Sequence, residues 1–311
     1  MSVVCFGSLK GGVGKTSLSI NVAHAFASTG ATVLLVDLDP MGHASRFFRI
    51  NSAGEGASVE SALARLFIGE EWDLDGVDKH CILARAHDQG LRVVDSVRDG
   101  LDLVASGPEL RHFLWGRGAR IFKTLFPLLI QEFTMVYDHV VIDTPPDFNV
   151  LMRNAIGVSD MVVVPVDSSA MSIHCLEEIV NSAAHIKKPR WAIIRSMVNK
   201  QASRVQKMTR SRIEENLAID ETGVASNSEE DNSPIYLLNS VVYRSELQNR
   251  LSFLGKTAFD DSSALTLKSL YEAVALEIEN LPALNDEDDE VEMDRFRMTL
   301  EEASETEELH V

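Results

Sequence analysis

The stretch that most constrains this chain is Leu9-Lys10-Gly11-Gly12-Val13-Gly14-Lys15-Thr16-Ser17. It follows a short apolar run, Val3-Val4-Cys5-Phe6, that reads as a buried strand. It precedes a segment from Thr16 to Thr29 with apolar or small residues at Leu18, Val22, Ala25 and Phe26, a spacing suited to one helix face. A glycine-rich turn between strand and helix is the setting in which backbone N–H groups converge on phosphate oxygens. Gly11, Gly12 and Gly14 permit the tight turn, the helix start adds partial positive charge, and Lys15 adds a full one. Thr16 supplies a hydroxyl of the kind that ligates Mg²⁺ in such loops. The strict pattern G-x-x-x-x-G-K-[ST] is broken at its first position by Leu9, and a second lysine, Lys10, stands at the front of the loop.

The rest of the chain repeats the strand-then-helix theme. Buried strands are expected at 32–36, 101–105, 139–143, 161–166, 191–198 and 236–242, each nearly all apolar. Helical stretches are expected at 58–67, 172–186, 202–217 and 263–281, with a long amphipathic segment ending near Phe133. Residues 73–78 and 219–233 read as loops. Strands that alternate with helices and are apolar on both faces indicate an α/β fold with a doubly wound, mainly parallel sheet flanked by helices. The sequence divides into a domain over 1–284 and an acidic tail over 285–311. That tail holds twelve acidic and two basic residues, a net −10 of the chain's −18. Its apolar content is too low to pack a core, so it is expected to be disordered. A hydrophobic fraction of 45% and a charged fraction of 24% are ordinary for a globular protein. No apolar run approaches the ~20 residues that span a bilayer. Cys5, Cys81 and Cys175 are odd in number and lack metal-ligand spacing, which suits reduced packing residues in a cytoplasmic protein.

Three carboxylates stand at expected strand ends, the edge where open α/β sheets place ligands. Asp143 follows three apolar residues, Val140-Val141-Ile142, at a strand end, as does an aspartate that holds Mg²⁺ through water. Asp37 and Asp39 close the second strand in Asp37-Leu38-Asp39-Pro40, and Asp39 lies 24 residues after Lys15. A helix cap or loop salt bridge is the other reading of Asp37. Asn199 ends the strand at 191–198, where it serves either a ligand or a plain turn.

The two-lysine loop, the D-x-D-P segment and the strand-end Asp143 together resemble the ParA/MinD family of P-loop ATPases. The resemblance covers roughly residues 2–281. It implies a P-loop NTPase fold that binds ATP with Mg²⁺ through Lys10, Gly11, Gly12, Val13, Gly14, Lys15, Thr16 and Ser17. It also implies Mg²⁺ held by Thr16, Asp37 and Asp143, and catalysis by Lys10, Lys15 and Asp39. In that family the second lysine, here Lys10, reaches the nucleotide of a partner subunit across a dimer interface, and the second aspartate, here Asp39, orients the attacking water. Asn199 matches the asparagine that reads the adenine edge. Two positions depart from the family pattern: Met41 and His43 stand where a glutamine and an asparagine are usual.

Between Ile179 and Ile213 there is no acidic residue and there are nine cations: Lys187, Lys188, Arg190, Arg195, Lys200, Arg204, Lys207, Arg210 and Arg212. Arg204, Lys207 and Arg210 recur every three residues, close enough to share a helix face and touch several phosphates. A solvated face balancing acids elsewhere is the plain alternative. The ParA branch carries basic residues in this third of the chain that bind DNA without sequence preference. By that resemblance Lys200, Arg204, Lys207, Arg210 and Arg244 are the expected DNA contacts. The implied protein is a homodimer with ATP at its interface. It binds double-stranded DNA, is stimulated by a ParB-like partner, and acts in DNA segregation or cargo positioning. A nucleotide-gated scaffold acting on proteins without DNA is the second hypothesis. The basic membrane helix of the MinD branch has no counterpart in an acidic tail. The cysteine pair of an iron–sulfur branch is missing. With nine residues before Lys10, a preceding DNA-reading helix-turn-helix is not expected.

Overall fold

The computed structural model describes residues 2–50, 93–184, 186, 189–220, 223–225 and 234–281. The expected helix at 58–67, the loop at 73–78, Cys81, Lys187, Lys188 and the acidic tail lie outside these residues. The compact unit Met1–Ile278 carries the sheet. Its strands are β1 (Ser2–Phe6), β2 (Val33–Asp37), β3 (Val94–Arg98), β4 (Leu101–Val104), β5 (His139–Asp143), β6 (Met161–Val166), β7 (Arg190–Val198), β8 (Val224–Ala225) and β9 (Ile235–Tyr243). The helices are α1 (Lys15–Ser28), α2 (His43–Phe47), α3 (Gly116–Thr134), α4 (Val150–Val158), α5 (Ala170–Ala183), α6 (Ser203–Asn216), α7 (Glu246–Leu254) and α8 (Leu265–Glu279). Short 3-10 turns occupy Pro108–Phe113 and Ala258–Asp260.

Among the described residues the strands form one nine-stranded sheet in the order β3-β4-β2-β5-β1-β6-β7-β9-β8. Pairings from β4 across to β9 are parallel, and β3 and β8 run antiparallel at the two edges. This is the expected fold class. Every residue of β2 and of β6 is buried, as a strand covered on both faces requires. Pro165, which lacks an N–H, sits in β6 beyond the last residue paired with β1, so no ladder bond is lost there.

The two faces divide by side-chain alternation. Val3, Cys5, Leu34, Val36, Val140 and Ile142 belong to one apolar cluster. Phe122 and Phe126 of α3, Leu151 and Ile156 of α4, Leu176 and Ile179 of α5, and Ile213 of α6 complete it. Helices α3 to α6 thus form one layer. The opposite face is covered by α1, which packs on β1, β2 and β5. Beside it His24 of α1 meets Phe259, over which Lys268 of α8 lies. Strand β1 is central, with β5 on one side and β6 on the other, so a crevice opens at its carboxyl end. Leu9, which breaks the strict loop pattern, is half-buried against the α3–α6 cluster. An apolar side chain there anchors the front of the loop to the core. Among the described residues no helix is long and apolar enough to cross a membrane.

Candidate functional site

The glycine turn leaves β1 and enters α1 at the carboxyl end of the central strand. Gly12 and Gly14 have φ of 79° and 87°, a conformation that disfavours any side chain, and Gly14 is the N-cap of α1. A Cβ at Gly11 or Gly12 would meet nothing within 4 Å, so the outer lip of the turn is open to a ligand.

Below the turn three side chains meet. Lys15, only 8% exposed, donates from Nζ to Asp143 Oδ1 at 2.9 Å and to the Thr144 carbonyl. Thr16 Oγ1 donates to Asp143 Oδ2 at 2.8 Å. Asp37 on β2 is in register with Asp143 on β5. Both carboxylates are fully buried. Burial, and after it the Asp143 charge, push the Asp37 carboxyl well above the usual carboxylate range. Its oxygens accept from the Asp39 amide at 3.1 Å and from the Ser45 amide and hydroxyl at 2.8 and 2.7 Å. Asp37 thereby anchors the segment that follows β2.

Asp39 is buried and caps its own turn, accepting from the Met41 amide at 2.8 Å. His43 Nδ1 lies 3.7 Å from its other oxygen. The Asp39 carbonyl accepts from Ser106, and Arg111 donates to Met41 Sδ at 3.5 Å. The two departures from the family pattern therefore both touch the Asp39 segment.

Lys10 faces away from Lys15. Its Nζ donates to Asp167, just past β6, and to Ser169 Oγ at 2.8 Å. Burial pushes the Asp167 carboxyl up, but hydrogen bonds from Lys10 and Ser169 outweigh it and hold the group below the usual range. Sequence reasoning does not single out Asp167 and Ser169. Their one signal is a D-S-S run following an apolar strand.

A cavity of about 390 Å³ opens beside the turn, lined by Gly12, Gly14, Ser17, Met197, Tyr243, Arg244, Gln248 and Tyr271 among others. Asn199 is not among its lining residues. It is exposed, accepts from the Gln201 amide at 3.0 Å, and shapes the turn into α6. Arg244, expected on a DNA face, is exposed, borders this cavity and donates to the Met197 carbonyl at 3.0 Å. Lys200 lies 5.3 Å from the centre of the Tyr243 ring. Arg204 and Lys207 do lie together on the exposed side of α6, with Arg212, along a shallow groove of about 570 Å³. Arg210 leaves that row: its Nε donates to Glu214 at 2.7 Å. Three-residue spacing drifts around a helix, and Arg212 stands where Arg210 was expected.

A family model described as an AAA domain matches residues 1–196. The chain belongs to this family, as a ParA/MinD-type P-loop ATPase. Relatives of this ATPase include the sporulation initiation inhibitor protein Soj of Bacillus subtilis, 30% identical over 186 residues, which are 60% of this chain and 66% of Soj. The chromosome partitioning protein ParA of Myxococcus xanthus is 28% identical over 186 residues, 60% of this chain and 59% of that one. The matched segment thus spans less than two thirds of either relative. Among solved structures, apo McdA of Cyanothece has the same fold, with a TM-score of 0.68 at 15% identity over 89% of this chain and 99% of that one. An ATP complex of a single-residue variant of that McdA matches with a TM-score of 0.64 at 15% identity over 92% and 99%.

The donor set of this ATPase fits Mg²⁺. Among the described residues no group of three or more His, Cys, Asp or Glu forms a cage. Mg²⁺ in nucleotide sites instead keeps waters and takes one or two protein ligands plus phosphate oxygens. Thr16 and Asp143, already joined, have the donor chemistry of such a pair.

Proposed function

We propose that this protein binds ATP with Mg²⁺ and dimerises with ATP held between two copies. It hydrolyses the ATP slowly under stimulation by a partner protein, and binds DNA without sequence preference while ATP is bound. The cycle would serve DNA segregation or cargo positioning, in the cytoplasm and on DNA. The observation that carries this reading is the convergence of Lys15, Thr16 and Asp143 under an open glycine turn that bears a second, outward lysine. The partitioning names of its relatives and the ATP complex of McdA support it.

The residues divide the work. The N–H groups from Gly11 to Ser17 would line the phosphates, and Lys15 would trade its contacts with Asp143 and Thr144 for phosphate oxygens. Thr16 and Asp143 would hold Mg²⁺, the latter through water, with Asp37 shaping the field from the adjacent strand. The ion, when bound, supplies positive charge at the phosphate oxygens. Asp39 would turn from the Met41 amide toward the γ-phosphate and orient a water in line with it. Lys10 would leave Asp167 for the partner copy's phosphates. The base would sit in the cavity bordered by Tyr243, Arg244 and Gln248, with Asn199 available to read its edge from the end of β7.

The DNA contacts would come from Arg204, Lys207 and Arg212, with Lys200 nearby. DNA co-sedimentation in ATP, in ADP and without nucleotide tests this. Binding confined to ATP, and weakened in Arg204→Glu with ATP binding intact, is the expected result. Equal binding in all three conditions, or none in any, would contradict it.

A further inference from the structure

A second cationic surface lies far from α6 in the sequence. From Leu110 to Gln131 there is no acidic residue, and Arg111, Arg117, Arg120 and Lys123 fall within it, in a chain of net charge −18. All four side chains are exposed. The buried side of α3 is formed by Ile121, Phe122, Leu125, Phe126, Leu129, Ile130 and Phe133. Arg117, Arg120 and Lys123 are exposed and fan across the side of α3 away from those residues. Among the described residues none of these three forms an ion pair. The 3-10 turn Pro108–Phe113 folds so tightly onto the helix start that a Cβ at Gly118 would overlap the His112 carbonyl. Trp115, 75% exposed, lies between Arg111 and Arg117 in the sequence.

We propose that the outward face of α3, from Arg111 to Lys123, is a second phosphodiester-binding surface that holds the DNA backbone, with Trp115 covering a sugar or base at its edge. The inference rests on the DNA-binding reading above and extends it to a separate element. Charge decides the class of ligand: three exposed cations over about two turns of α3, with Arg111 in the 3-10 turn before it, neutralise a regular polyanion, and each displaces counterions as it does so. A protein segment docking through an apolar side would find only Trp115 here, since the other exposed residues from Arg111 to Lys123 are small or polar, such as His112 and Gly116. α3 and α6, which bears the Arg204 row, pack on the same face of the sheet. Arg111 touches Met41, two residues beyond Asp39, so a ligand on this face adjoins the hydrolytic switch.

Fluorescence anisotropy of a labelled random-sequence duplex, with full-length protein, Mg²⁺ and a non-hydrolysable ATP analogue, tests the proposal. The double variant Arg117→Gln/Arg120→Gln should bind about tenfold more weakly and lower the log–log salt slope by about 0.9 for each phosphate no longer neutralised. Its mass in the analogue should match wild type. The duplex should quench an emission that is missing in Trp115→Phe. Wild-type affinity and slope in the double variant, with Arg204→Glu weakened, would overturn the α3 surface and leave the α6 reading standing. No duplex binding by wild type in any nucleotide would overturn both. Quenching of Trp115 by poly-glutamate but not by duplex would also overturn it, in favour of an acidic protein.

Discussion

Lys10 and Lys15 share one turn but hold different partners, and the burial of each sets what its loss would do. Lys15 is buried against Asp143, with Asp37 in the adjacent strand already pushed toward its neutral form. Lys15→Ala should abolish ATP binding in calorimetry, and it should also destabilise the fold by about 3 kcal/mol, because a buried carboxylate loses its counter-charge. Lys15→Gln, which keeps most of the volume, separates the two effects: it should fold better and still fail to bind ATP. Asp39→Ala removes the group assigned to the water and leaves the turn and Asp143 in place. ATP affinity should stay within a few-fold of wild type while turnover falls by about two orders of magnitude. Lys10 is a weaker case. Its ion pair with Asp167 is partly exposed, with side chains 24% and 15% accessible, and such a pair is worth roughly 0.2–1 kcal/mol. Asp167→Asn should therefore lower the ATP concentration needed for dimerisation by no more than about fivefold. An unchanged or raised requirement would mean that Asp167 does not restrain Lys10.

At the scale of elements, α1 is clamped from behind as well as by the sheet. His24 Nδ1 meets Thr257 Oγ1 at 2.7 Å, and Asn21 Oδ1 accepts from the Ala258 amide at 2.9 Å. Burial, opposed by Asp260 and Asp99 and aided by Arg98 and Lys268, lowers the His24 pKa to about 4. A lowered histidine pKa means that the unfolded chain takes up the proton first. The contribution is then fully present above about 6.5 and lost as pH falls through about 4. Roughly 2–3 kcal/mol is at stake, so the urea midpoint should drop between about pH 7 and about pH 4.5, and the drop should be smaller in His24→Gln. The elements that are legible in the sequence share one property. Strands β5 and β6 begin and end where expected because unbroken apolar runs mark central parallel strands. Edge strand β3, Val94–Arg98, carries two charges in five residues and shows no such run. Helix α4 is short, and Asn149, whose side chain accepts from the Leu151 and Met152 amides, is its one clear start signal. Helix α7 has Ser245 in the same role. Without α7 the cavity that it borders beside the glycine turn is invisible in the sequence.

At the scale of the whole molecule, the loop pattern dictates where phosphates go, but not which surfaces face outward around them. The cations of α6 and α3 are separated by some eighty residues and come to one side only because α3 to α6 pack as a single layer on the sheet. No local spacing carries that information. Arg244 makes the same point in reverse, since a cation near the end of β9 is turned toward the glycine loop by the bond to the Met197 carbonyl. The account's central claim is that Lys10 makes two copies and their ATP one functional unit. Sedimentation velocity in ATP, in ADP and without nucleotide measures this directly, for wild type, Asp39→Ala and Lys10→Ala. The account predicts a dimer only in ATP, persistent in Asp39→Ala and absent in Lys10→Ala. A mass independent of nucleotide, or a Lys10→Ala protein that dimerises as wild type does, would contradict it.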